Sequence, residues 1–213
     1  MRLIATALFL LATLSSANAQ QFGTNEKSAR VWAGSTGSVV TFKNQSGEAI
    51  VSGGWLDTGL SYQLTDNFFG ELSYSKNRVD SVEVDGETTS RDDTWSSKGI
   101  GIGFRLARTE YIGNYFGAAY YHDISGDDSE DSSSLISLFM EKDNYSRFGR
   151  LSISKLTKDA TGTSVGGTHV WFLQSGLGLG FEWSYETGKN ADMFDTELKY
   201  TGTTAGLLVM FRL

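Results

Sequence analysis

The pair His122-Asp123 is the clearest candidate for catalytic chemistry in this sequence. An imidazole next to a carboxylate can act as a general base that activates a water molecule for hydrolysis. The other histidine, His169, precedes Val170-Trp171, where we expect it to lie beside Trp171 near an interface, and cysteine is absent. We find no metal-ligand spacing, phosphate-binding loop or nucleotide motif, so we predict no metal and no cofactor. Because adjacent His and Asp are frequent by chance, we assign no catalytic residues and expect a protein that is not an enzyme.

A larger set of charged residues lies in segments where apolar and polar residues alternate. In residues 177–185, Leu, Leu, Phe, Trp and Tyr alternate with Gly, Gly, Glu and Ser. A period of two residues predicts β-strands with one apolar face and one polar face. The polar faces of the predicted strands carry charges of both signs, at Asp57, Glu71, Arg105, Glu141, Arg150, Glu182 and Arg212.

The alternation predicts ten strands joined by links of alternating length. Short links lie near 65–66, 107–110, 143–146 and 175–176, and long polar links lie at 35–52, 79–94, 124–133, 158–167 and 188–203. Asp85-Gly86 signals a tight hairpin, so strands three and four are expected to continue beyond the membrane. Thr201-Gly202-Thr203 predicts a bulge that changes the phase before the last strand. Eight strands are the alternative, if the weak first segment at 29–35 and one ambiguous segment are not strands.

Closed into a barrel, these strands would bring the seven charges into the lumen, where charges must be paired or solvated. One interpretation is a salt-bridged plug that fills a small barrel, and we favour it. The other is a narrow aqueous path lined by both signs, since ten strands lie just above the ~8 whose side chains fill the interior. Several inward positions are glycines, which leave room beside Arg105 and Glu182 or permit tight curvature: Gly99, Gly101, Gly103, Gly178 and Gly180.

The carboxyl terminus carries the most specific pattern in the chain. Over its last ten residues one face reads Ala205, Leu207, Val209, Phe211 and Leu213, alternating with Gly206, Leu208, Met210 and Arg212. With Thr204, this segment resembles the C-terminal signal of bacterial outer-membrane barrels, although it ends on Leu213 where that signal has an aromatic residue. The resemblance implies that the last strand closes the barrel on the first, through Gly206, Leu207, Val209, Phe211 and Leu213, and that the barrel assembly machinery is a partner.

The amino terminus and the composition agree with export. Met1-Arg2, the apolar run 3–14 and the A-x-A site ending at Ala19 predict a signal peptide over 1–19, followed by one barrel domain over 20–213. Without Arg2 the balance is 17 Lys and Arg against 25 Asp and Glu, or −8, with no basic cluster, so we expect no nucleic-acid partner. Proline is absent, which suits long uninterrupted strands.

The sequence therefore predicts an all-β, antiparallel transmembrane β-barrel in a Gram-negative outer membrane, with a soluble β-sandwich as the alternative. The leading function is a narrow porin-like channel for small solutes or ions, or a structural membrane protein. A second hypothesis is a barrel whose loops contact ligands, host surfaces or lipopolysaccharide. The third is a hydrolase at the rim: His122-Asp123 is similar to the rim site of omptin-type proteases, but the chain is short for that family and no second acidic pair can be placed opposite. The acidic loop 127–134 is either a solvated loop, which we favour, or a site for divalent cations that bridge lipopolysaccharide phosphates.

Overall fold

The computed structural model describes residues 29–43, 47–107, 114–124, 134–144, 146–157, 160–190 and 198–213. Ten antiparallel strands lie in this part of the chain, and they form one closed barrel in which each strand pairs with its sequence neighbours and β1 pairs with β10. The strands are β1 (Ala29–Lys43), β2 (Glu48–Gln63), β3 (Phe68–Val84), β4 (Glu87–Ala107), β5 (Asn114–Asp123), β6 (Ser134–Asn144), β7 (Arg147–Thr157), β8 (Ala160–Phe172), β9 (Leu177–Asn190) and β10 (Leu198–Arg212). The predicted ten-stranded antiparallel barrel is confirmed, and both the eight-stranded alternative and the β-sandwich are wrong. Within the described residues, no helix is long and apolar enough to cross a membrane.

An apolar belt covers the outer face of the barrel. Large hydrophobic side chains from most strands point outward with exposures of 37% to 74%, among them Leu60, Leu72, Ile102, Phe116, Leu138, Ile153, Leu179 and Leu207. Tyrosine and tryptophan join the belt, with Tyr74, Tyr120, Trp171, Trp183 and Tyr185 also exposed. Such a surface would be costly in water but matches hydrocarbon bordered by headgroups.

Strands extend into segments that the alternation predicts as long links. β1 continues to Lys43 and β2 begins at Glu48, so most of the predicted link 35–52 is strand. The links predicted at 158–167 and 188–203 shrink in the same way, because β8 begins at Ala160 and β9 reaches Asn190. Above the apolar belt, adjacent apolar residues such as Val39-Val40 and Ile50-Val51 lie among polar ones, so the strict alternation disappears although the backbone ladder continues. The ladder depends on backbone groups and not on side-chain polarity.

The longest hairpin joins β3 and β4. Its turn is Asp85-Gly86, with φ of 51° and 88°, the left-handed values that favour this dipeptide in a two-residue hairpin. The predicted hairpin is confirmed. β5 pairs with β4 only over Gly99–Ala107, and the remaining twelve positions of β4, 87–98, lie beyond that pairing. The hairpin therefore extends well past the belt on the side opposite the short turns.

The predicted bulge at Thr201-Gly202-Thr203 is wrong. β10 pairs with β1 and with β9 through this segment without a shift of register. Tyr200, whose apolar ring suggested a change of phase, faces inward and is 8% exposed. Gly162 leaves room for it, since a Cβ there would lie 2.4 Å from the Tyr200 hydroxyl. Register irregularities occur instead at Ser52/Gly53 in β2 and between Val79 and Ser81 in β3.

Candidate functional site

A buried carboxylate, Glu141 of β6, lies inside the barrel towards its short-turn end, three residues before the end of its strand. Its side chain has no exposed surface, and arginines from three other strands surround it. Arg105 Nη1 donates to Oε1 at 2.8 Å, while Arg150 donates to Oε2 through Nε at 3.0 Å and Nη2 at 2.8 Å. Arg30 Nη1 lies 3.5 Å from Oε1. Glu141 therefore offsets three cations that would otherwise repel one another.

Two further carboxylates extend this network across the lumen. Arg150 Nη1 lies 3.4 Å from Glu71 Oε1, and the Tyr121 hydroxyl donates to Glu71 Oε2 at 2.5 Å. On the other side, Asp143 accepts from Arg212 and lies 3.5 Å from Arg30. We call the connected set the charged layer: Arg30, Glu71, Arg105, Glu141, Asp143, Arg150 and Arg212.

Aromatic rings pack against the arginines of the charged layer. The guanidinium carbons lie 4.5 Å from the Phe148 ring centre for Arg30, 4.8 Å from Phe139 for Arg150, and 4.1 Å from Phe172 for Arg212. Such stacking stabilises a cation whose hydration has been removed. Phe148 belongs to a buried cluster with Val170, Leu208 and Met210, against which Phe172 packs, and Phe139 belongs to a second cluster with Phe69 and Ala119. Aromatic and ionic groups thus pack together at this level of the lumen.

The inward-facing glycines leave room for aromatic rings and not for an open path. A Cβ at Gly103 would lie 2.1 Å from the Phe69 ring, and one at Gly117 would lie 2.4 Å from the Phe139 ring. Gly180 similarly lies against Val170, with its Cβ position 2.8 Å from that side chain. Glycines of β4 and β5 thus make room for large rings of β3 and β6.

Asp57 and Glu182 lie outside the charged layer. Thr36 Oγ1 donates to Glu182 Oε1 at 2.5 Å, and Asp57 hydrogen-bonds to the Trp32 side chain. A cavity of about 240 Å³ separates this region from the layer, bounded by Trp32 and Glu182 on one side and by Tyr121 and Arg150 on the other. The structure thus brings together Glu71, Arg105, Glu141 and Arg150 directly, joins Arg212 through Asp143, and leaves Asp57 and Glu182 apart.

Three members of the interior network were not predicted from the sequence. Arg30 belongs to the weakest predicted strand, Asp143 was placed in a short link, and Tyr121 lies in a segment apolar on both faces. Arg30 and Trp32 are two residues apart in β1, so they point to the same face of the strand. That spacing could have assigned Arg30 to the inner face together with Trp32.

His122 and Asp123 occupy adjacent positions of one strand, so their side chains leave opposite faces of the sheet. His122 lies on the outer face, where its Nδ1 is 3.0 Å from Ser134 Oγ, and Asp123 lies on the inner face. This geometry does not let the two side chains act on one water molecule. His169 also faces outward, with its ring centre 4.3 Å from that of Trp171.

The acidic loop lies almost entirely within residues 125–133, which are outside the described residues. The described part contains no group of three His, Asp or Glu side chains able to hold a metal ion.

The last strand closes the barrel on the first. Leu207 pairs with Ser35, Val209 with Ala33 and Phe211 with Val31. At the end of the ladder the Leu213 N–H donates to the Ala29 carbonyl at 2.8 Å, and the Ala29 N–H donates back at 3.3 Å. The terminal residue thus takes part in the closure.

Comparison with known proteins returns structural neighbours alone. No protein-family model matches the chain, and no curated protein matches it. Among solved structures, the outer membrane protease OmpT from Escherichia coli aligns with a TM-score of 0.48 at 6% identity, covering 92% of this chain and 100% of that one. An outer membrane channel from Pseudomonas putida F1 aligns with 0.47 at 12% identity over 92% and 98%. The β domain of the Bordetella autotransporter BrkA aligns with 0.46 at 12% identity over 85% and 98%. These neighbours are outer-membrane β-barrel proteins of different activities, so they do not select an activity for this chain.

Proposed function

We propose that this chain is a non-enzymatic outer-membrane β-barrel whose lumen is closed by the charged layer, so that it acts as a structural membrane protein and not as an open pore. The observation that carries the proposal is the burial of Glu141, whose side chain is 0% exposed between Arg105 at 4% and Arg30 at 6%. A continuous water path through the barrel would hydrate these groups. Their dryness supports closure at this level of the lumen.

The outer membrane is the location that best fits the outer surface. The exposed apolar belt matches hydrocarbon, and tyrosine and tryptophan lie among its members, as in membrane barrels. The hairpin of β3 and β4 projects from one end and short turns close the other, which matches extracellular and periplasmic ends. The signal peptide over 1–19 stays a prediction, since those residues lie outside the described part.

The energetics of a buried ion network support a closing role. A buried charge is costly unless it is paired and hydrogen-bonded, and removal of one partner leaves the others uncompensated. In the charged layer, Glu141 accepts three hydrogen bonds from two arginines. Arg30 Nη1 and Arg105 Nε are buried without a hydrogen-bond partner among the described residues, so these two cations depend on the nearby charge of Glu141.

Single-channel recording of the refolded mature chain in a planar bilayer tests this proposal. We expect the folded wild type, verified by its heat-dependent shift on a gel, to insert without steady conductance. Glu141→Ala should produce discrete openings, because it removes the central partner of three arginines and lets water enter. Lys98→Gln, a change on the outer face, serves as the matched control and should stay silent. Steady conductance steps from the wild type would identify a narrow channel and refute the closed barrel.

A second candidate, recognition of a ligand by the projecting hairpin, is favoured by the length of β3 and β4, which have 17 and 21 residues. Deletion of residues 82–89 should leave the barrel fold and its gel shift intact while abolishing binding to purified lipopolysaccharide. Unchanged binding after the deletion would remove the hairpin from consideration.

A further inference from the structure

A trough on the outer face of the barrel crosses β6, β7 and β8 near the short-turn end. Two glycines form its floor, Gly149 in β7 and Gly167 in β8, at outward positions where neighbouring strands carry large side chains. Gly149 pairs with Lys142 on one side and with His169 on the other. Gly167 pairs with Leu151 and with Trp183. The two glycines are therefore diagonal neighbours, and the depression runs from Lys142 towards Trp183, enclosing about 830 Å³.

The walls of the trough change character along its length. Next to the short β6–β7 link the lining side chains are Lys142 and Arg147, with His169 across Gly149. Further from that link the walls are Met140, Leu151 and Phe181, which belong to the apolar belt. Trp183 lies across Gly167, where a Cβ would be 2.9 Å from its Nε1. A basic end followed by an apolar groove matches a lipid that has an anionic headgroup and a hydrocarbon chain.

The sector of the barrel that contains the trough differs from the rest of the outer face in its charge. On the outer face at the short-turn end, the described strands present two charged side chains, Lys142 and Arg147, and both are cations lining this trough. The carboxylates nearest in sequence, Glu141 and Asp143, face inward and bind the arginines of the charged layer. The outward charges that line the trough are therefore both positive, which favours an anion at this site.

We propose that the trough binds one glycerophospholipid of the leaflet at the short-turn end. Its phosphate lies over Gly149 between Lys142 and His169, with Arg147 below, and one acyl chain follows the groove past Leu151 and along the Trp183 indole, which covers Gly167. Gly149 matters because a side chain there would fill the depression, and Gly167 matters because it leaves room for the indole. Lys142 supplies charge, and the imidazole of His169 can donate a hydrogen bond to a phosphate oxygen. This inference rests on the membrane location given under Proposed function and adds a lipid site to it.

Native mass spectrometry of the full mature barrel tests the site. The barrel is refolded into vesicles of phosphatidylcholine with one-fifth phosphatidylglycerol, then released into mild detergent, and the fraction that retains one phosphatidylglycerol is measured. Lys142→Gln should lower the apparent affinity about fivefold, the effect of one cation next to an anionic membrane surface. Gly149→Leu should abolish retention, and its heat-dependent gel shift verifies that the variant folds; the nearest atom to its Cβ position is His169 Nδ1, 3.4 Å away.

Two matched control variants lie on the outer face of β3 and β4, away from the trough. Lys98→Gln removes an outward cation, and Gly70→Leu fills an outward glycine position with no atom within 3.9 Å; both should retain lipid as the wild type does. Equal retention in Gly149→Leu and wild type, or loss in Gly70→Leu as large as in Gly149→Leu, would overturn the site. Retention of added lipopolysaccharide in place of phosphatidylglycerol would overturn it in favour of an outer-leaflet lipid. A barrel that fails to insert into vesicles would refute the membrane location itself, whereas an inserted barrel without bound lipid would refute the trough alone.

Discussion

Replacement of Glu141 by glutamine tests the charged layer most directly, because the side chain keeps its shape and loses its charge. The layer contains four arginines and three carboxylates, a balance of +1 that becomes +2 in Glu141→Gln. Removal of one partner from a buried ion pair costs about 3–5 kcal/mol. For a chain of this length each kcal/mol corresponds to about 2–4 °C, so we expect the Tm to fall by about 6–20 °C.

The assay is the temperature at which the folded gel band disappears, measured at equal heating times for each variant. Glu182→Gln is the matched control, since Glu182 also faces the lumen but accepts its hydrogen bond from Thr36 and has no arginine partner among the described residues. It should lose less stability than Glu141→Gln, about 1.5–3 kcal/mol for one hydrogen bond to a charged group. A Tm for Glu141→Gln within 2 °C of the wild type, or no lower than that of Glu182→Gln, would show that the arginines do not depend on Glu141.

Three further perturbations follow from the same geometry. Arg105→Ala should open a water path beside Glu141 and produce conductance in planar bilayers, and a silent folded variant would place the closure elsewhere. Gly103→Ala should destabilise the barrel by about 1–3 kcal/mol in a gel-shift melt, because its methyl group would overlap the Phe69 ring, whereas Gly149→Ala on the outer face should melt as the wild type does. Gly86→Val places a branched side chain at φ 88° and should speed amide exchange across the hairpin tip without changing the barrel Tm, and unchanged exchange would argue against the turn geometry.

Strand position and face were predictable because they are local properties. Leu179, Phe181 and Trp183 alternate with small or polar residues, and a period of two residues assigns each side chain to one face without reference to any other strand. The alternation stops beyond the apolar belt, where Val39 and Val40 are adjacent among small and polar residues, which is why β1 was predicted to end near Ser35 although the strand continues to Lys43. The turn at Asp85-Gly86 was predictable for a similar reason, since its backbone conformation depends on the two residues themselves.

The pairing of the lumen charges was not predictable in the same way. Asp57 and Glu71 both face inward on neighbouring strands, yet Arg150 reaches Glu71 and not Asp57. Which carboxylate an arginine meets depends on the stagger between strands and on the distance across the lumen, and neither quantity is encoded in the alternation of one segment. The role of Phe69 in filling the lumen depended in the same way on the register that places its ring over Gly103.

By itself, the sequence determined the strand order and the faces of the clearly alternating strands, because these follow from side-chain periodicity and from pairing of consecutive strands. Closure of the barrel by the last strand was implied by the resemblance of residues 204–213 to the C-terminal signal of outer-membrane barrels. Only the tertiary structure decided which of the lumen charges pair. Arg105 and Glu141 are 36 residues apart, and Arg150 and Glu71 are 79 apart, so their contacts exist only once the sheet has closed on itself. Closure of the sheet brings these charges into the barrel interior, where they must be paired or solvated.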